Sequence, residues 1–179
     1  MHRTLDTLAL FGVSAVLLVA FYYQFALGEL PCPLCALQRA GFIVAGVGLM
    51  QNLRNGYAPA NYGLVLLTSV AAAGASLRQI ALHVVPGSGA YGSAPFGWHF
   101  YTWAFAGYGA LVVYVGAMLL LVPAPQGGER TPRLGPFAKL ACVLLILLAA
   151  ANAAAFLLEC GLGPCPDNPV GYLWWPALR

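Results

Sequence analysis

Five stretches of the chain, roughly residues 7–28, 36–53, 61–84, 102–122 and 137–158, are long and apolar enough to cross a bilayer. A helix rises about 1.5 Å per residue, so about 20 apolar residues cover the hydrocarbon. The expected fold is all-α, a polytopic membrane helical bundle in a single domain that spans residues 1–179. The charge content points the same way. Only 7% of the residues are charged, against about 25% in a soluble domain. Eight basic and five acidic side chains cannot cover a soluble fold of this length. That excludes an ordinary cytosolic domain, a disordered chain and a nucleic-acid binder, because a net charge of +3 is too small and scattered for a phosphate-binding surface. Function must then reside in the few polar residues that a membrane tolerates.

The first run is too long for the apolar core of a cleavable leader, and no small-x-small site precedes Cys32, so it reads as a span. Short segments separate the runs. Residues 29–35 hold Glu29 and the first two cysteines, and Arg54 to Pro59 reads as a turn. Pro86 to Tyr101 is a longer interfacial loop, and Pro123 to Pro136 a polar one with Glu129, Arg130 and Arg133. A tail from Glu159 to Arg179 carries two more cysteines, Trp174 and Trp175. Five spans put the termini on opposite sides. With the N-terminus inside, the inner segments hold Arg3, Arg54, Arg130, Arg133 and Lys139, while the outer loops hold Arg179 alone. Arg39 and Arg78 fall within helix ends. The excess of positive charge in inward-facing loops therefore predicts an N-terminus inside and a C-terminus outside. The 29–35 loop, the 86–101 loop and the tail then face outside.

Four of the five cysteines lie in those outward segments, where disulfides persist, and Cys142 lies alone inside the fifth span as a packing residue. Cys32-Pro-Leu-Cys35 is a CxxC motif, whose small disulfide ring opens and closes without large backbone motion. A helix starting near Cys35 would favour a thiolate through its free amides and dipole. Arg39, one turn further on the same face, would add a cation. A static loop disulfide and half of a zinc site are the alternatives for this pair. Cys160-Gly-Leu-Gly-Pro-Cys165 places glycines and a proline between two thiols, which suits a tight turn. That pair would be either redox-active or a staple for the tail.

The run Cys32-Pro-Leu-Cys-Ala-Leu-Gln-Arg39, between the first two spans, resembles the signature of the disulfide bond formation protein B (DsbB) family. These inner-membrane proteins pass electrons from a periplasmic thiol oxidase to a membrane quinone. The resemblance covers the first four spans and implies a four-helix core, to which this chain adds a fifth transmembrane helix. It implies that Cys32 and Cys35 form the quinone-coupled pair, with Cys35 the thiolate nearest the quinone and Arg39 on the quinone ring. Family members carry a second pair in the loop between the third and fourth helices. That loop has no cysteine here, and Cys160 and Cys165 take the place of the pair.

Gln38, Arg78 and His83 complete the candidate quinone-binding set: Arg78 as a second cation, His83 as a hydrogen-bonding or proton-relaying group. Arg78 could instead snorkel to the surface. Trp98, Phe100, Tyr101 and Trp103 read as an interfacial aromatic belt. Glu29 and Glu159 read as solvated helix-end charges. The expected activity is that of a thiol:quinone oxidoreductase using ubiquinone or menaquinone, with a thioredoxin-like (DsbA-like) thiol oxidase and the membrane lipid and quinone pool as partners and no nucleic acid. A paralogue with a dedicated substrate, a metal-handling membrane protein with the cysteines as ligands, and a structural subunit with inert disulfides are the alternatives. The sparse methionines, the lack of a Cys–His cluster and the spacing of His83 and His99 argue against a metal site.

Overall fold

The computed structural model describes residues 2–85, 87, 89–122 and 133–175, so Glu129, Arg130, Arg179 and the first residue of the expected 86–101 loop lie outside the described residues. Five helices form: α1 (His2–Ala26), α2 (Pro33–Asn55), α3 (Pro59–His83), α4 (Phe100–Leu121) and α5 (Pro136–Cys160). Each is long and apolar enough to cross a membrane. A single 3-10 turn, Pro95–Gly97, precedes α4. Proline stands in the first turn of α2, α3 and α5, where its missing N–H costs nothing and its fixed φ suits a helix start. Gly56 (φ 91°) and Gly161 (φ 64°) close α2 and α5 with backbone that other residues rarely adopt.

Two helices run through charges at which the apolar pattern suggested a boundary. α1 begins at His2 and includes Asp6, which is fully buried. The hydroxyls of Tyr62 (2.7 Å) and Tyr114 (2.6 Å) both donate to Asp6 Oδ1, so the carboxyl ties α1 to α3 and α4. α2 continues past Arg54 to Asn55, where Asn52 Oδ1 accepts from Ala58 N at 3.1 Å and Asn61 Nδ2 at 2.9 Å. Arg3 Nη2 donates to Leu53 O at 2.9 Å, joining α1 to the same end.

α2 is the central helix. It packs on α1, α3 and α5, while α4 packs mainly on α3 and α5 also on α1. The core runs along these seams through Leu10, Leu17, Phe42, Leu49, Tyr62, Val65, Tyr108 and Leu145. The outward faces stay apolar, with Leu67, Val113 and Leu120 well exposed, as a lipid-facing surface requires. α2 and α3 approach closely because small residues meet there: a Cβ on Gly41 would lie 2.5 Å from Ala72 Cβ, and one on Gly48 2.9 Å from Asn61 O. An up-and-down path brings residues 27–32, the 84–99 loop and the tail to one end of the bundle. Tyr91 donates to Leu30 O (2.7 Å) across these loops, and Ser93 N donates to Glu29 Oε2 (3.0 Å) with Ser93 Oγ on Oε1. Glu29 is thus a loop clamp rather than a solvated charge.

Candidate redox site

Both cysteine pairs are disulfides, and both lie at this end of the bundle. Cys32 is the N-cap of α2 and Pro33 its first residue. Cys32 Sγ accepts from Cys35 N at 3.1 Å, so sulfur takes the place of the usual capping oxygen. Cys35 stands in the first turn, at the helix terminus whose free amides and dipole favour negative charge. Cys32 is buried and Cys35 half-buried.

The donor to these sulfurs comes from α3. Gln79 Nε2 lies 3.3 Å from Cys32 Sγ and 3.6 Å from Cys35 Sγ. Its orientation is fixed by Gln38, whose Nε2 donates to Gln79 Oε1 at 2.8 Å. Tyr108 in turn donates its hydroxyl to the Gln38 carbonyl. The chain Tyr108–Gln38–Gln79–disulfide crosses three helices, and the Tyr108, Gln38 and Gln79 side chains are buried.

Cys35 opens onto a cavity of about 670 Å³ between α1, α2, α4 and the loops. Most of the wall is apolar, from Val16, Val19, Phe42, Phe100 and Trp103. Polar side chains share the wall: Cys35, Gln38, Arg39 and Gln79, with Glu29 and Tyr91 from the loops. A second hollow of about 410 Å³ shares Val16, Phe42 and Gly107 with the first and continues to Leu5 and Tyr114. Together they form an apolar groove along the α1–α4 face of the bundle.

Arg39 lines the cavity together with Cys35, yet its guanidinium is bound to α1. Nη1 donates to Gln24 Oε1 at 2.5 Å and Nη2 to Ala20 O at 3.1 Å, with the Phe21 ring 5.8 Å from the guanidinium carbon. The structure does not bring Arg78 or His83 into the cavity. Arg78 is exposed, one residue and about 100° of helix rotation from the inward Gln79. His83 Nδ1 meets Gly89 O at 3.1 Å, and its ring stacks on Tyr101 at 5.6 Å. The His99 ring stacks on Tyr101 too, at 5.2 Å. Among the described residues, no three His, Cys, Asp or Glu side chains converge as metal ligands would.

The second disulfide closes the turn after α5. Cys160 is buried and Cys165 half-buried. The tail then folds back, with Leu173 N donating to Glu159 O (3.2 Å) and Trp174 N to Leu158 O (2.9 Å). Beneath it Glu159 is 2% exposed, and its two carboxyl oxygens have no hydrogen-bond partner among the described residues. The expectation of a solvated charge fails because the tail covers the helix end. Burial, helped by nearby carboxylates, pushes the Tyr91 and Tyr172 hydroxyls above their ordinary range.

Gln79, Gln24 and Tyr172 did not stand out in the sequence, and Glu159 did so only as a helix-end charge. A signal for Gln79 was present. Tyr62, Ser69, Ser76 and Gln79 recur at helical spacing along one face of an apolar span and are all buried. Gln24 is likewise a polar residue near the end of an apolar run.

The family model described as Disulfide bond formation protein DsbB matches residues 2–123, from α1 through α4. A Disulfide bond formation protein B of Chromobacterium violaceum is 44% identical over 71 residues, 37% of this chain and 43% of its own length. One of Marinobacter nauticus is 44% identical over 80 residues, 41% of this chain and 46% of its own. One of Stutzerimonas stutzeri is 33% identical over 90 residues, 47% of this chain and 54% of its own. The chain thus spans about half the length of the curated relatives it matches. No solved structure matches it.

Proposed function

The chain belongs to the disulfide bond formation protein B family, and from that premise we propose that it is a thiol:quinone oxidoreductase of the bacterial inner membrane. It oxidises a thioredoxin-like thiol protein on the periplasmic side and delivers the electrons to ubiquinone or menaquinone. The observation that carries this reading is Cys35, whose sulfur belongs to a disulfide and faces an apolar cavity within the bundle.

The residues present suit a quinone. The cavity has the size and the apolar lining of a small-molecule site. Gln38, Arg39 and Gln79 share the cavity wall with Cys35 and would hold the carbonyl groups of a quinone. The groove toward Leu5 and Tyr114 offers an apolar channel for an isoprenoid tail. When bound, a quinone supplies the oxidising potential, accepting two electrons and two protons to become a quinol.

The chain's own residues carry the remaining work. A donor thiolate attacks Cys165 Sγ, the more accessible sulfur of its pair; the Cys160–Cys165 bond breaks and Cys160 leaves as thiolate. The donor's second thiol resolves the mixed disulfide, which frees oxidised donor and leaves Cys160 and Cys165 reduced. The same exchange with Cys32–Cys35 restores the tail disulfide and leaves Cys32 and Cys35 as a dithiol. Cys35 presents its sulfur to the cavity, Gln79 donates to it, and Arg39 holds a positive charge on the cavity wall to offset negative charge that develops there. The net change is donor dithiol plus quinone to donor disulfide plus quinol. The excess of Lys and Arg at the opposite end supports a cytoplasmic N-terminus: Arg3, Arg54, Arg133 and Lys139 lie there.

The test is quinone reduction by purified protein in lipid nanodiscs, with a reduced thioredoxin-like protein as donor and a short-chain ubiquinone as acceptor. Turnover is expected from the native chain and none from Cys35→Ser. Full activity in Cys35→Ser overturns the mechanism.

A further inference from the structure

Arg39 is the cation of the cavity wall, and its position is set from outside the cavity. Gln24 is buried and uses both ends of its amide: Oε1 accepts from Arg39 Nη1 at 2.5 Å, and Nε2 donates to the Tyr172 hydroxyl at 3.1 Å. Neither Gln24 nor Tyr172 lines the cavity. Tyr172 belongs to the tail, 148 residues away in sequence from Gln24 and beyond the 2–123 family match. It is itself fixed on three sides. Its ring stacks parallel to Phe25 at 6.4 Å. The next two residues are held to the end of α5 by the Leu173–Glu159 and Trp174–Leu158 backbone bonds. The turn leading to them is closed by Cys160–Cys165.

A glutamine amide can flip and offer either its oxygen or its NH2 to a neighbour. An arginine needs the oxygen. With Tyr172 placed to take a hydrogen bond from Nε2, the amide has one preferred orientation, and the oxygen faces Arg39. Without that hydroxyl the buried Nε2 loses its acceptor, and the flipped amide becomes competitive. The flipped form would set an NH2 group against the guanidinium.

We propose that Tyr172, acting through Gln24, is a positioning residue for Arg39, so that the C-terminal tail sets the affinity of the cavity for quinone. This rests on the quinone-site reading above. It assigns to the fifth helix and its tail a part in the site that the first four helices enclose. Tyr172 touches no reacting atom. Its effect passes through two hydrogen bonds to the guanidinium.

The direct readout is equilibrium binding of a short-chain ubiquinone to the full chain in nanodiscs, followed by quenching of tryptophan fluorescence, since Trp103 lines the cavity. Tyr172→Phe keeps the ring and its stacking on Phe25 and removes only the hydroxyl. The expected result is a Kd raised about fivefold, the scale of one lost buried hydrogen bond, beyond the modest fall in melting temperature that the unpaired Gln24 amide brings. In an Arg39→Ala background, Tyr172→Phe should cause no further loss. A merely structural role for the tail would weaken binding equally in both backgrounds. An unchanged Kd in Tyr172→Phe, or equal losses with and without Arg39, overturns the proposal and leaves the quinone reading intact. Failure of the native chain to bind the quinone overturns both.

Discussion

At the scale of single residues, the donor to the disulfide is a neutral amide. Gln79 reaches both sulfurs, and Gln38 holds its other end. A hydrogen bond to an ionised sulfur is roughly twice as strong as one to a neutral partner, so Gln79 stabilises the reduced, thiolate form more than the disulfide. Gln79→Leu should slow alkylation of the reduced Cys32–Cys35 pair at neutral pH by about threefold, the net of a roughly tenfold smaller thiolate fraction and a more nucleophilic thiolate. Mass-spectrometric timing of N-ethylmaleimide labelling measures this, and an unaltered rate would remove Gln79 from the redox site. The sequence pointed to Arg39 and Arg78 because a charge inside an apolar run is conspicuous. An arginine head travels on a long stem, however, and goes where acceptors are. For Arg39 these are Gln24 and the Ala20 carbonyl on another helix, and nothing local in the sequence announces that pairing. Arg78 points away from the bundle while its uncharged neighbour takes the interior position.

At the scale of the helix, the site depends on how closely α2 and α3 approach. Gln38 and Gln79 meet at 2.8 Å because Gly41, one turn below, lets Ala72 and the Tyr108 hydroxyl come against the α2 backbone. Gly41→Ala would put a methyl group 2.5 Å from Ala72 Cβ and 2.6 Å from Tyr108 OH. Neither neighbour can yield without moving its helix. The expected cost is about 1–3 kcal/mol of stability, typical of overpacking. Gly74→Ala, with nothing within 4 Å of the added Cβ, serves as the control. Thermal unfolding in detergent distinguishes them, and equal melting temperatures would show that the close seam is not under strain from a methyl group. The helices themselves were legible in the sequence, since length and hydropathy decide what crosses a bilayer. Their ends were less so. Asp6 and Arg54 look like boundaries in a hydropathy pattern, but Asp6 finds its partners on α3 and α4. Those contacts exist only after folding.

At the scale of the whole molecule, α1 to α4 carry the cavity, the CxxC pair and Gln79, while α5 and the tail bring a second disulfide to the same end. The tail was recognisable from its cysteines and tryptophans. Its fold-back over Glu159 was not, because the two backbone bonds that hold it carry no side-chain signature. The tail pair has two possible roles that differ in consequence. As an electron carrier it must be attackable, and the half-buried Cys165 meets that condition while buried Cys160 does not. As a staple it need only hold residues 166–175 against α1 and α5. Replacing both Cys160 and Cys165 by serine separates the roles when turnover is measured at saturating quinone, where any loss of quinone affinity no longer limits the rate. A protein donor reaches the half-buried Cys165 of the tail more readily than the buried Cys32 or the Cys35 sulfur in the cavity, so its oxidation should be lost. A small dithiol can enter the cavity and reduce Cys32–Cys35 directly, and its oxidation should persist. If the double variant oxidises the protein donor as fast as the native chain, electrons do not pass through the tail, and its disulfide serves only to hold Tyr172 and the rest of the tail in place.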